Sequence, residues 1–158
     1  MNSSKFYETA IEKINSEAVK LEVFCKALDN APNEKKKQVV EYKRAKYRYA
    51  SIARIYNLLY HGNRVYQKPA IHMDIENVIK NNAELSNLCN HAVNNEKIDF
   101  KLYYGISAIA VERIAELQKK LQSANDWEKI ELEERIGGLT FAKNCLDEAW
   151  KRRKDVLA

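Results

Sequence analysis

Apolar side chains recur along much of the chain at alternating steps of three and four residues, the spacing that places them on one face of an α-helix. The clearest run lies in residues 4–29, and its apolar face is Tyr7, Ile11, Ile14, Ala18, Leu21, Cys25 and Leu28. Residues 34–60 repeat the pattern with Tyr42, Ala45, Tyr49, Ile52, Tyr56 and Leu59. Both segments therefore predict long amphipathic helices that pack nearly parallel to their neighbours.

A third and a fourth helix are predicted beyond a loop at residues 62–72. Asp74 is a candidate N-cap for the third helix, because Asp accepts hydrogen bonds from the N–H groups that a helix start leaves unpaired. Asn82 is a polar interruption of the apolar face of this helix. Asp99 can open the fourth helix, which extends to about Gln122.

A fifth helix is predicted from Asn125 onward, because Asn125 and Glu128 have the spacing of a capping box. Its apolar positions continue to the end of the chain, where Trp150 is expected in the core. Gly137 and Gly138 lie at the centre of this helix, and each glycine inside a helix costs about 1 kcal/mol relative to alanine. The pair therefore predicts a kink or a close backbone crossing.

No segment alternates between polar and apolar residues for long enough to form a strand, and only four Gly and two Pro interrupt the helical patterns. A chain of 158 residues is long enough to bury about 70% of its unfolded surface in one core. The sequence thus predicts an all-α protein, an antiparallel bundle of four to five helices with short loops, in which residues 1–158 form a single helical domain.

Positive charge is concentrated in one part of this bundle. Residues 33–68 contain ten Lys and Arg but only two acidic residues, a net charge of +8, whereas the whole chain carries +5. Six tyrosines are interleaved with these cations: Tyr42, Tyr47, Tyr49, Tyr56, Tyr60 and Tyr66. A local excess of Lys and Arg beside aromatic rings is typical of surfaces that bind phosphate-bearing partners.

The predicted second helix turns one side to the core and the opposite side, with Lys43, Tyr47 and Arg54, to solvent. We expect this cationic side, extended into the following loop, to bind a nucleic acid or a nucleoprotein complex, mostly through phosphates. The candidate binding residues are Lys36, Lys37, Lys43, Arg44, Tyr47, Arg48, Arg54, Arg64 and Lys68. Such a protein would be an accessory subunit or an inhibitor. An acidic protein surface is an alternative partner, and a simply solvated helix face is another interpretation.

Arg54 and His61 are seven residues apart, two turns along one predicted helix, so both project from nearly the same side. The segment RIYNLLYH resembles the Arg-x6-His element of HEPN domains, which are small all-α bundles. The resemblance implies metal-independent RNA cleavage, with His61 as general acid or base and Arg54 stabilising phosphate charge. Neither a glycine-rich phosphate loop nor a GxSxG motif occurs, so the more common enzyme classes are not expected.

Cys25, Cys89 and Cys145 are far apart and lie among apolar residues, as is typical of reduced core thiols in a reducing compartment. No CxxC pair and no His pair four residues apart occurs, so neither a metal site nor another cofactor is predicted. No run approaches the roughly 18 apolar residues of a membrane span. We therefore expect a cytoplasmic protein without membrane contact, and the sequence leaves a homodimer open.

Overall fold

The computed structural model describes residues 5–29, 39–62, 69–92 and 97–152. These residues form six helices and no strand, which confirms the all-α prediction. The helices are α1 (Lys5–Asp29), α2 (Val39–Gly62), α3 (Pro69–Lys80), α4 (Ala83–His91), α5 (Lys97–Leu121) and α6 (Asp126–Lys151). None of the described helices is both long enough and apolar enough to cross a membrane.

Helix α6 lies at the centre of the bundle, because α1, α2 and α5 all pack against it. Tyr103, near the start of α5, contacts Asp147, near the end of α6, so these two helices run in opposite directions. Lys43, near the start of α2, lies over Trp127, near the start of α6, so α2 and α6 run in the same direction. The shorter helices α3 and α4 pack against α5.

Large apolar side chains from α1, α2, α5 and α6 fill the space between the helices. Those that are almost completely buried are Ile14, Ile52, Ile55, Leu59, Ile106, Leu117, Leu139 and Leu146. Each such side chain contributes about 1.5–3 kcal/mol through its removal from water. In α2 the buried face includes Ile55 as well as the predicted Ile52 and Leu59, whereas Tyr49 and Tyr56 of the predicted face are only half-buried.

The predicted third helix is two helices in the structure. α3 ends at Lys80, and the side-chain oxygen of Asn82 then caps α4 by accepting a hydrogen bond from the backbone N–H of Leu85 at 3.2 Å. The prediction that Asp74 caps the third helix is wrong, because α3 already begins at Pro69. Proline suits a first helical position, since its missing N–H would have no helical partner there. Residues 69–72 of the predicted loop therefore belong to α3.

The predicted cap of α6 is confirmed. The Asn125 side-chain oxygen accepts a hydrogen bond from the backbone N–H of Glu128 at 2.8 Å, and the Asn125 amide donates to the Glu128 carboxylate at 2.8 Å. The second bond joins two side chains, whereas a capping box returns the carboxylate to the backbone N–H of the cap. Local polar contacts of Asn125 and Glu128 therefore define where α6 begins.

The two central glycines of α6 mark a close approach to α2. A Cβ atom at Gly138 would lie 2.7 Å from the carbonyl oxygen of Arg48 and 2.9 Å from Cβ of Ser51. A Cβ atom at Gly137 would meet only the tip of the Arg48 guanidinium, at 3.0 Å. The predicted close crossing is thus confirmed, and Gly138 is the residue that allows it.

Candidate anion-binding surface of α2 and α6

Five of the nine candidate binding residues have described side chains: Lys43, Arg44, Tyr47, Arg48 and Arg54. All five lie on α2. The other four, Lys36, Lys37, Arg64 and Lys68, lie outside the described residues.

The side of α2 that was expected to face solvent is partly covered by α6. The Lys43 ammonium lies 3.7 Å from the centroid of the Trp127 ring. The guanidinium of Arg135, on α6, lies 5.1 Å from the centroid of the Tyr47 ring. Lys43 and Tyr47 are therefore half-buried, and the expectation of a fully solvated cationic side is wrong for them.

Arg48 also belongs to the α2–α6 interface. Its guanidinium lies 5.6 Å from the Phe141 ring centroid, and its carbonyl oxygen is the atom that Gly138 approaches. The absence of a side chain at Gly138 brings α6 close to α2, so the cations of α2 lie against aromatic rings of α6. Each such cation–aromatic contact contributes about 0.5–1 kcal/mol where it is exposed.

The acidic first half of α6 neutralises one cation of α2. The Arg44 guanidinium lies 3.4 Å from the Glu134 carboxylate. α2 carries four other cationic side chains: Lys43, Lys46, Arg48 and Arg54. Among the described residues, no carboxylate oxygen lies within 4.0 Å of the charged groups of these four. Arg44 is therefore the one described cation of α2 that has a direct ion-pair partner among the described residues.

Arg54 is exposed and lies at the rim of a polar groove of about 440 Å³ between α2, α5 and α6. Arg113 and Arg135 line the same groove. These two are each paired with a carboxylate at 3.0 Å, Arg113 with Glu116 and Arg135 with Glu131. The groove is thus close to charge balance, and Arg54 is the cation in it that has no ion-pair partner in the described part of the chain.

Sequence reasoning missed two contributors to this surface, Trp127 and Arg135, both on α6. Trp127 is 53% exposed. Helix geometry could have predicted that Trp127 is exposed. At 100° per residue, Trp127 lies about 140° from Leu132 and about 120° from Leu139, which are both on the apolar face of α6. The pairing of Arg135 with Tyr47 depends on how the helices cross and has no sequence signal.

The HEPN-like pair lies on one continuous helix, since α2 includes both Arg54 and His61. The side chain of His61 lies outside the described residues, so the structure gives no distance between the two groups. The implied ribonuclease activity stays a prediction.

The cysteines are free thiols. Cys89 and Cys145 are buried, and this burial raises the pKa of both thiols, so both remain protonated at neutral pH and are poor nucleophiles. Cys25 is half-buried. In the described ranges, no group of three or more His, Cys, Asp or Glu side chains could hold a metal ion.

Comparison of the chain with protein-family models, with curated proteins and with solved structures gave no match. The residues on the surface of α2 and α6 are therefore the basis for assigning a function to this protein.

Proposed function

We propose that this protein is a non-enzymatic binding module that holds a nucleic acid, free or within a nucleoprotein complex. The binding site is the α2–α6 surface, which we define as Lys43, Lys46, Tyr47, Arg48, Arg54, Trp127 and Arg135. One observation carries the proposal: among the described residues, four of the five cationic side chains of α2 have no carboxylate partner. Cations without carboxylate partners that lie close together attract polyanions and accelerate their association.

The exposed cations are spaced to contact more than one phosphate. Lys46 and Arg54 are both exposed, and eight residues along a helix correspond to about 12 Å. Lys43 and Arg48 are half-buried and lie against aromatic rings of α6. Contacts of this kind are made with the phosphate backbone, so we expect strong salt dependence and little sequence preference. The module would act in the cytoplasm as an accessory subunit or as an inhibitor.

The test is a titration of the protein with single-stranded RNA, single-stranded DNA and duplex DNA at two salt concentrations. Lys46→Glu and Arg54→Glu should each weaken binding to all three polymers and reduce the slope of log affinity against log salt by about 1. The matched control is Lys80→Glu, a reversal of the same size at an exposed position on α3. Binding that is insensitive to salt and to both α2 variants would contradict the proposal.

Two other results would favour a different function. RNA cleavage without metal that disappears in a folded His61→Ala variant would support the HEPN-like ribonuclease. Failure to bind any nucleic acid at low salt, together with saturable binding of a purified acidic protein that Lys46→Glu weakens, would support a protein-interaction or adaptor module.

A further inference from the structure

The most exposed aromatic side chain of the described residues is Trp127. Six large hydrophobic side chains in these ranges are exposed, and only Phe24 and Trp127 among them are aromatic. Phe24 lies on α1 and is 39% exposed, whereas Trp127 is 53% exposed and lies at the start of α6 beside the cations of α2. A large ring left in water costs free energy unless a ligand covers it, and the Lys43 ammonium against this ring can attract an anionic ligand.

We infer that Trp127 is a stacking platform for an unpaired base, so that the preferred ligand of the α2–α6 surface is a single-stranded nucleic acid. The inference rests on the proposed function and names its ligand class. Aromatic side chains between cationic groups are the combination by which proteins bind single strands, because every base has a face that can stack. Bases in a duplex are already stacked on their neighbours, so the ring offers them no comparable contact.

Lys43 links the base contact to the phosphate contacts. Its ammonium lies 3.7 Å from the centre of the Trp127 ring, held by attraction to the ring face. In the complex the base stacks on the opposite face of the ring, so the ring lies between the base and the Lys43 ammonium. Lys43 and Lys46, one turn further along α2, contact the phosphates on either side of the stacked nucleotide. Trp127 supplies the preference for single strands, and the lysines supply the salt dependence.

The second tryptophan of the chain provides an internal reference. Trp150 is only 7% exposed and is covered by other rings, so a nucleic acid cannot reach it without unfolding the bundle. Quenching of tryptophan fluorescence by a bound single strand therefore reports on Trp127. The variant Trp127→Phe leaves Trp150 as the only tryptophan and should show no quenching.

The experiment measures the affinity of the full chain for a labelled oligothymidylate and for a duplex of equal length. Trp127→Leu should weaken binding of the single strand roughly 10-fold to 100-fold, the range expected for the loss of one base stack. The affinity for the duplex should fall much less than the affinity for the single strand, because the duplex contacts the phosphate-binding cations and not the ring face. Trp127→Phe, which retains a smaller ring, should show a smaller loss. The control Phe24→Leu removes an exposed ring on α1 and should change neither affinity.

The possible failures are distinguishable. If Trp127→Leu leaves the affinity for the single strand unchanged and the single strand does not quench the fluorescence of the original protein, while Lys46→Glu still weakens binding, the stacking inference is wrong and the proposed function stands. Equal weakening of single-strand and duplex binding by Trp127→Leu also overturns the inference. If the unmodified protein binds neither polymer at low salt, both the proposed function and the inference fail. Circular dichroism of each variant confirms that the helices remain folded.

Discussion

The two tryptophans of this chain lie at opposite ends of α6 in opposite surroundings. Trp150 is 7% exposed, and its ring is stacked on Tyr103 with the centroids 4.5 Å apart and the planes at 2°. Phe100 meets it edge-on at 5.0 Å. Trp127 is 53% exposed, and the Lys43 ammonium lies over its ring. The same residue type thus forms part of the core at one end of α6 and part of the surface at the other.

The difference arises from the neighbouring helices. α5 begins beside the end of α6 and places three aromatic rings against Trp150. At this end Asp147 also accepts hydrogen bonds from the Tyr103 hydroxyl and the Lys143 ammonium, both at 2.7 Å. At the start of α6 the cations of α2 outnumber their carboxylate partners. One end of α6 is therefore packed into the core, and the other is the end at which we propose that a ligand binds.

The largest expected effect separates the two tryptophans directly. Trp150→Ala should reduce the free energy of unfolding by about 3–5 kcal/mol, the usual cost of deleting a buried tryptophan. Trp127→Ala should cost less than about 1 kcal/mol, because it removes an exposed ring and one cation–π contact. Urea unfolding followed by circular dichroism measures both. Equal losses in the two variants would show that the two ends of α6 do not differ in this way.

An intermediate effect on the free energy of unfolding is expected at the middle of α6, between Trp127 and Trp150. Gly138→Ala should destabilise the protein by about 2 kcal/mol, because the new methyl group forces the backbones of α2 and α6 apart. Gly137→Ala should be neutral or stabilise the protein by up to about 1 kcal/mol, since alanine favours the helix and only the flexible tip of Arg48 must move.

The two glycine variants serve as controls for each other, because both gain the same helix propensity. Their difference in urea midpoint isolates the steric term. If Gly138→Ala were as stable as Gly137→Ala, the close crossing of α2 and α6 would not be present in solution.

A smaller effect is expected at the core end of α6. Burial and the hydrogen bond to Asp147 raise the pKa of Tyr103 above its usual range. Tyr103→Phe should cost about 1 kcal/mol at neutral pH through the lost hydrogen bond. The hydroxyl ionises more easily in the unfolded chain than in the folded protein, so its contribution is fully present below pH ~10 and is lost as the pH rises further.

The free energies of unfolding of the original protein and of Tyr103→Phe should therefore converge above pH ~10. The comparison variant is Tyr47→Phe, which removes the hydroxyl of a tyrosine on α2 whose ring lies beside Arg135. Its free energy of unfolding is measured over the same pH range. A constant difference between Tyr103→Phe and the original protein across this pH range would contradict the role assigned to Tyr103.

Much of this fold follows from local chemistry, and the sequence alone was sufficient to predict it. The three-to-four spacing of apolar residues predicted α1, α2 and α6, because helix periodicity is a property of each segment. The cap at Asn125 was found for the same reason, since it involves residues three apart. The Gly137 and Gly138 pair also indicated that another backbone comes close.

The arrangement of the candidate site was decided by the tertiary structure. Ten cations in one stretch are visible in the sequence, but whether each meets water, a carboxylate or a ring depends on which helix crosses α2 and at what distance. Gly138 allows α6 to approach, and as a result Arg44 meets Glu134 and Lys43 meets Trp127. These partners are 90 and 84 residues apart in the chain. Periodicity along one helix carries no information about the side chains of another helix. The sequence therefore determined where the cations lie along the chain, and the packing of α6 against α2 decided which of them are exposed.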